Sequence, residues 1–122
     1  MSFESILTEV LNECPGALGA ALMGSDGVPI AEVAAPAHPD AGDEVGLLGI
    51  EFGRVLDEAR KAADAASAGG VLELAVQTER FHVLIQAIDR DTVLVLALAH
   101  DANVGKGRYL MRRHQLSIRE EL

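Results

Sequence analysis

The spacing of apolar residues changes several times along this 122-residue sequence, and each change marks an element. Phe3, Ile6, Leu7, Val10 and Leu11 recur at i, i+3, i+4, i+7 and i+8, the single stripe of an amphipathic helix. Ser2 can cap that helix and Pro15-Gly16 ends it. Ala17 to Met23 is a short apolar run of strand length. Gly24-Ser25-Asp26-Gly27 is a tight-turn signature, and Val28 to Val33 returns as a second strand, so the two form a hairpin. Gly19, Ala20 and Ala21 leave room for something to pack closely over the first strand.

Residues Ala34 to Gly42 are a loop by composition. Asp40 or Asp43 can start the helix that follows, with Glu44 in an acidic first turn. Within it Leu48, Phe52, Val55, Ala59, Ala62 and Ala66 step by four and three residues, a narrow stripe ending in alanines. Gly46, Gly49 and Gly53 recur at near-helical spacing, each unfavourable to a helix by roughly 1 kcal/mol relative to Ala, and together they make a face that a neighbour can approach closely. After Ser67-Ala68-Gly69-Gly70 come three expected strands, Val71 to Thr78, Phe81 to Asp89 and Thr92 to His100, joined by the turns Glu79-Arg80 and Arg90-Asp91. Val93 to Ala99 is apolar on both faces, which marks a central strand. Glu73 and Gln77 alternate with Leu72, Leu74 and Val76, which marks an edge open to pairing with another chain. Asp101-Ala102-Asn103 caps a last helix from Val104 to about Glu121. The expected fold class is α+β: a five-stranded antiparallel sheet with helices on both faces, in the order α-β-β-α-β-β-β-α, as one domain over residues 1–122.

Composition narrows the function. Apolar residues make up 49% of the chain, enough for a real core. No apolar run approaches the roughly 20 residues of a membrane helix, so membrane insertion is not expected. The first residues carry no basic cluster ahead of an apolar stretch, and Cys14 is the single cysteine, so a cytoplasmic location is expected. Residues 1–53 hold nine acids and no Lys or Arg, and the net charge of −9 lies there. Such a surface repels phosphate backbones, and stacking aromatics are scarce, so nucleic acid is not an expected partner. Half of the basic residues, Lys106, Arg108, Arg112, Arg113 and Arg119, lie in one stretch, either a solvated helix face or a patch for an acidic partner or a second copy.

Candidate chemistry is sparse. Gly105-Lys106 lacks the glycine at 100 and the Ser or Thr at 107 of a phosphate-binding loop; His100 and Gly107 stand there. The helix start remains a candidate anion site. His38, His82, His100 and His114 show no metal-ligand spacing, and no cofactor or metal is expected. His100-Asp101 and Asp89/Asp91 fit capping and turn roles, and Cys14 has no base in reach of the sequence. Arg54, Arg80 and Arg90 are exposed candidates for an arginine finger, none singled out by context.

The order of elements, Pro15-Gly16-Ala17 before the first strand, Gly24-Ser25-Asp26-Gly27 at the hairpin, the smooth middle helix, and Ala102-Asn103-Val104-Gly105-Lys106-Gly107-Arg108-Tyr109-Leu110 together resemble the roadblock, or dynein light chain-like, family (a roadblock/profilin-like fold). The likeness spans nearly the whole chain. It is nearest to the bacterial type that partners a Ras-like polarity or motility GTPase, MglB and MglC, and nearer to MglC. The resemblance implies a cytoplasmic, non-enzymatic homodimer that partners such a GTPase, or another roadblock protein regulating it. The chain is shorter than the MglB type, which points away from direct GTPase activation. The resemblance carries the dimer surface onto Leu72, Leu74 and Val76 of the edge strand and Leu48, Phe52 and Val55 of the long helix. Expected exposure suggests a partner surface at the hairpin tip, Ser25, Asp26 and Val28, or along the long helix at Glu51, Arg54 and Glu58. The alternatives are a small-molecule-sensing α/β domain, which needs a cavity that the Leu- and Val-filled central strand disfavours, and an enzyme built on His100 or Cys14.

Overall fold

A computed structural model describes residues 2–122 and contains the eight expected elements in the expected order. Helix α1 is Phe3–Glu13, β1 Ala17–Gly24 and β2 Pro29–Ala34. Helix α2 is Ala41–Ala65, followed by β3 Glu73–Gln77, β4 Phe81–Ala87, β5 Thr92–Ala99 and α3 Val104–Glu121. The strands form one antiparallel sheet in the order β2-β1-β5-β4-β3. Strand β5 is central, as its two apolar faces require: Leu94, Leu96 and Leu98 point into the core beneath α1 and α3, while Val93, Val95 and Ala97 point toward α2. The sheet therefore has two helices on one face and one on the other.

Local chemistry sets the ends of the elements. The Ser2 hydroxyl accepts from the Ser5 amide at 3.1 Å, and Asn103 Oδ1 accepts from the Lys106 amide at 3.0 Å, satisfying donors that the first turns of α1 and α3 would leave open. Asp40 flanks α2 without a side-chain cap. At the hairpin Asp26 Oδ1 accepts from the Val28 amide at 3.1 Å, and Gly27 takes a left-handed φ of 87°. Strand β2 consequently begins at Pro29, one residue later than the alternation suggested. Strand β4 ends at Ala87 because Ile88 already turns, donating its amide to the Thr92 carbonyl at 2.9 Å.

Two readings shift. The strip of α2 that enters the core is Val45, Gly49 and Leu56 with Ala41 and Gly46, about a quarter-turn round the helix from the stripe Leu48, Phe52, Val55, Ala59, Ala62 and Ala66. At Gly46 and Gly49 the helix backbone itself comes down on the Glu32 and Met23 side chains, so the larger apolar residues are displaced onto the flank. Strand β3 begins at Glu73 and not at Val71. Leu72 still gives its carbonyl to the Ala87 amide at 3.1 Å, but its side chain is 79% exposed.

Candidate interaction site

Helix α2 rests mainly on β1 and β2, and its contact dwindles across β5 and β4. The α2 side of β3 is left uncovered. Leu74 and Val76, paired in register with Ile85 and Val83, lie half-buried on that side, and Phe81 lies half-buried at the start of β4. Leu48 and Phe52 on the flank of α2 pack against the same cluster as Leu74 and Phe81. Val55 follows along the flank, 46% exposed. The result is a trough walled by α2, floored by the sheet and open beyond β3, whose outer edge pairs with no other strand among the described residues. Of the six residues carried over for a dimer surface, the fold thus brings Leu48, Phe52 and Leu74 onto one apolar cluster, with Val76 and Val55 bordering it. Leu72 stands apart, lining a recess of about 420 Å³ with Arg60, Ile88, Arg90 and Arg119.

On the opposite flank of the same stretch of α2, the hairpin tip approaches the helix around a shallow groove of about 240 Å³. Ser25, Asp26 and Arg54 line it with Ile50, Asp57 and Arg60. Two surfaces that the sequence offered as separate candidates therefore meet in one place. Val28 is exposed just beyond the tip, while Glu51 and Glu58 point outward from α2. Glu51 pairs with Arg54 at 3.6 Å and Glu58 with Lys61 at 3.2 Å, exposed pairs of little stabilising value that leave these side chains free to exchange partners.

The face beneath α3 holds a polar cluster that alternation did not single out. Gln86 is fully buried in β4; its Nε2 donates to Glu73 Oε1 at 3.0 Å, and its Oε1 accepts from Gln115 Nε2 at 2.7 Å. Arg108 Nε donates to both Glu73 oxygens at 2.9 and 2.8 Å. This ties the edge strand to α3. The one signal in the sequence was a glutamine inside the apolar run from Val83 to Ile88.

The chemical candidates do not converge. Cys14 is 2% exposed, and burial pushes its thiol above the ordinary value, with nearby Lys106 pulling weakly the other way. That disfavours the thiolate a nucleophile needs. His82 Nε2 lies 3.1 Å from the His100 carbonyl, and Asp89 accepts from the Asp91 amide at 2.9 Å, so both serve local structure. Arg80 lies over the Phe81 ring, 5.8 Å from its centroid. Among the described residues no His, Cys, Asp and Glu cluster fits a metal, and no helix is long and apolar enough to cross a membrane.

No protein-family profile matches the chain, and no curated protein matches it. Solved structures do. A roadblock/LC7 domain from Streptomyces avermitilis superposes with a TM-score of 0.84 at 16% identity over 99% of this chain and 98% of that one. The gliding protein MglB from Thermus thermophilus gives 0.80 at 22% identity over 91% and 81%. These two establish the fold, the roadblock/profilin-like α+β class expected. MglC from Myxococcus xanthus is 33% identical over 100% of both chains, with a TM-score of 0.71. The chain belongs to the roadblock/LC7 family. Within this roadblock/LC7 chain, two of the segments that carried the resemblance touch. Gly16, with φ of 85°, presses against Ala102, where a Cβ would come within 2.7 Å of the Ala102 Cβ, and its carbonyl accepts from the Ala99 amide at 2.8 Å. Gly107 likewise lets α3 settle onto Leu96 and Leu98. Gly16 is thus required by its left-handed turn and the close approach of Ala102, and Gly107 by helix-on-sheet packing.

Proposed function

We propose that the chain, as one roadblock unit, is a non-enzymatic binding module that homodimerises and, as a dimer, partners a Ras-like small GTPase or another roadblock protein that regulates one, in bacterial polarity or motility and in the cytoplasm. The observation that carries this reading is the trough between α2 and β3. Leu48, Phe52 and Val55 face an open strand edge bearing Leu74 and Val76, and a second copy related by a twofold axis covers both at once: strand pairs with strand and helix flank with helix flank. Its membership of the family and its likeness to MglC and MglB support the GTPase link. The partner surface belongs at the hairpin groove, Ser25, Asp26 and Val28 with Arg54, and Glu51 and Glu58 extend it along α2.

Light-scattering mass of the purified protein tests the assembly. The wild type is expected at twice the chain mass, and Leu74→Glu and Phe52→Glu, each placing a charge in the covered trough, are expected at the monomer mass with an unchanged far-UV spectrum. A wild-type monomer, or a dimer indifferent to both changes, overturns the assembly. Binding of the GTPase, loaded with GTP or GDP, to the wild type and to Asp26→Ala and Arg54→Ala then tests the partner surface.

A further inference from the structure

Helix α3 lies on the face of the sheet opposite α2, and its outward side is unlike the rest of this acidic chain. Tyr109, Arg112, Arg113 and Leu116 fall at i, i+3, i+4 and i+7, one helix face turned from the core residues Leu110, Met111, His114 and Ile118. Tyr109 is 61% exposed and Leu116 64%, large apolar surfaces left open to solvent. Lys106, one turn earlier, and Arg112 make no ion pair among the described residues, and Arg113 makes only a loose, exposed one with Glu13 at 3.8 Å. The face therefore pairs two apolar anchors seven residues apart with a rim of three cations, and its one acid, Glu120, sits a turn beyond Leu116 at the C-terminal end.

We propose that this face of α3 docks an acidic amphipathic helix of another protein. The sevenfold spacing suits a helix lying along α3, whose own apolar residues one heptad apart cover Tyr109 and Leu116 while its Asp and Glu residues meet Lys106, Arg112 and Arg113. A second copy through the same face is disfavoured, because a twofold contact sets these cations against themselves. Anionic lipid and nucleic acid are disfavoured by the chain's net charge of −9, which repels an extended anionic surface, whereas a short acidic helix meets only the local positive face. Tyr and Arg are also the side chains that most often anchor protein interfaces. Since α2 and the hairpin groove lie on the other face of the sheet, one dimer can hold this partner and a GTPase at the same time.

The test is a selection from a displayed library of single helices with all surface positions randomised, against the full wild-type chain. Selected helices are expected to carry two large apolar residues seven apart and an excess of Asp and Glu. They should bind Tyr109→Ala/Leu116→Ser and Arg112→Glu at least tenfold more weakly, about 1.4 kcal/mol, and more weakly as salt rises. Exchanging acids of a selected helix for lysine should restore binding to Arg112→Glu. All substituted side chains are exposed, and far-UV spectra identical to wild type confirm the fold. Selected helices that are neutral or basic, or that bind both variants as well as the wild type, overturn the proposal. So does tighter capture of the wild type by phosphatidylserine vesicles or a 20-mer single-stranded DNA, with loss of that capture in Arg112→Glu.

Discussion

Three of the four glycines of α2, Gly46, Gly49 and Gly53, offer a controlled test of how the helix meets the sheet. Replacing Gly by Ala inside a helix is worth about 1 kcal/mol wherever the methyl group has room. Gly53 has nothing within 4 Å of its would-be Cβ, so Gly53→Ala should realise that gain. At Gly46 the new methyl runs into the Glu32 carboxylate, the far end of an exposed side chain that can swing away, so Gly46→Ala should be close to neutral. At Gly49 the methyl meets the buried Met23 sulfur, with Val95 Cγ2 at 3.2 Å behind it. Overpacking of that kind costs about 1–3 kcal/mol, so Gly49→Ala should lose up to about 2 kcal/mol net. For a chain of this size 1 kcal/mol moves Tm by roughly 4 °C. Thermal melts at one fixed protein concentration, since the proposed dimerisation would make Tm concentration-dependent, should therefore rank the variants Gly53→Ala above wild type, Gly46→Ala near it and Gly49→Ala clearly below. Equal stabilisation by all three would refute the close approach of α2 to β1 and β5.

The Glu73 carboxylate serves Arg108 and Gln86 together, so Glu73→Ala should destabilise by about 1–3 kcal/mol in urea melts, moderated by the partial exposure of Arg108, whereas Glu73→Gln should keep part of this; equal, small losses would deny the cluster a role. Cys14, held protonated by burial, should resist alkylation in the native protein at pH 8. An unfolded thiol ionises near pH 8.5 and the native one higher, so the unfolded state holds fewer protons in that window and wild-type stability should fall as pH rises through it. Cys14→Ala should lack this component, and parallel alkaline limbs for the two proteins would contradict the assignment. Asn103→Ala should cost about 1 kcal/mol by uncapping α3, and Asn103→Asp should restore the loss; an unchanged Tm for the alanine variant would show that the cap is idle.

Much of this architecture was legible in the order of residues because each element obeys its own period. Ile6, Leu7, Val10 and Leu11 repeat as a helix must, Val93 to Leu98 alternate onto two buried faces, and Gly24 to Gly27 turn where the backbone needs glycine. Such signals are local, so neighbours along the chain suffice to state them. The face that α2 turns to the sheet was not legible. Its apolar stripe and its glycine row both looked like contact faces, and the choice between them rests on Met23 and Glu32, residues distant in sequence that occupy the space below Gly49 and Gly46. The Gln86 cluster was hidden for the same reason: its partners lie 13 residues earlier in β3 and 22 to 29 residues later in α3. The candidate site divides along this line. Exposure of the hairpin tip, the edge character of β3 and the basic run in α3 are properties of short segments, readable from composition and alternation. That Ser25 and Arg54 share one groove, that Phe52 and Leu74 share one trough, and that α3 presents its cations on the opposite face all depend on how the sheet orders its strands, because packing joins residues that sequence separation keeps apart.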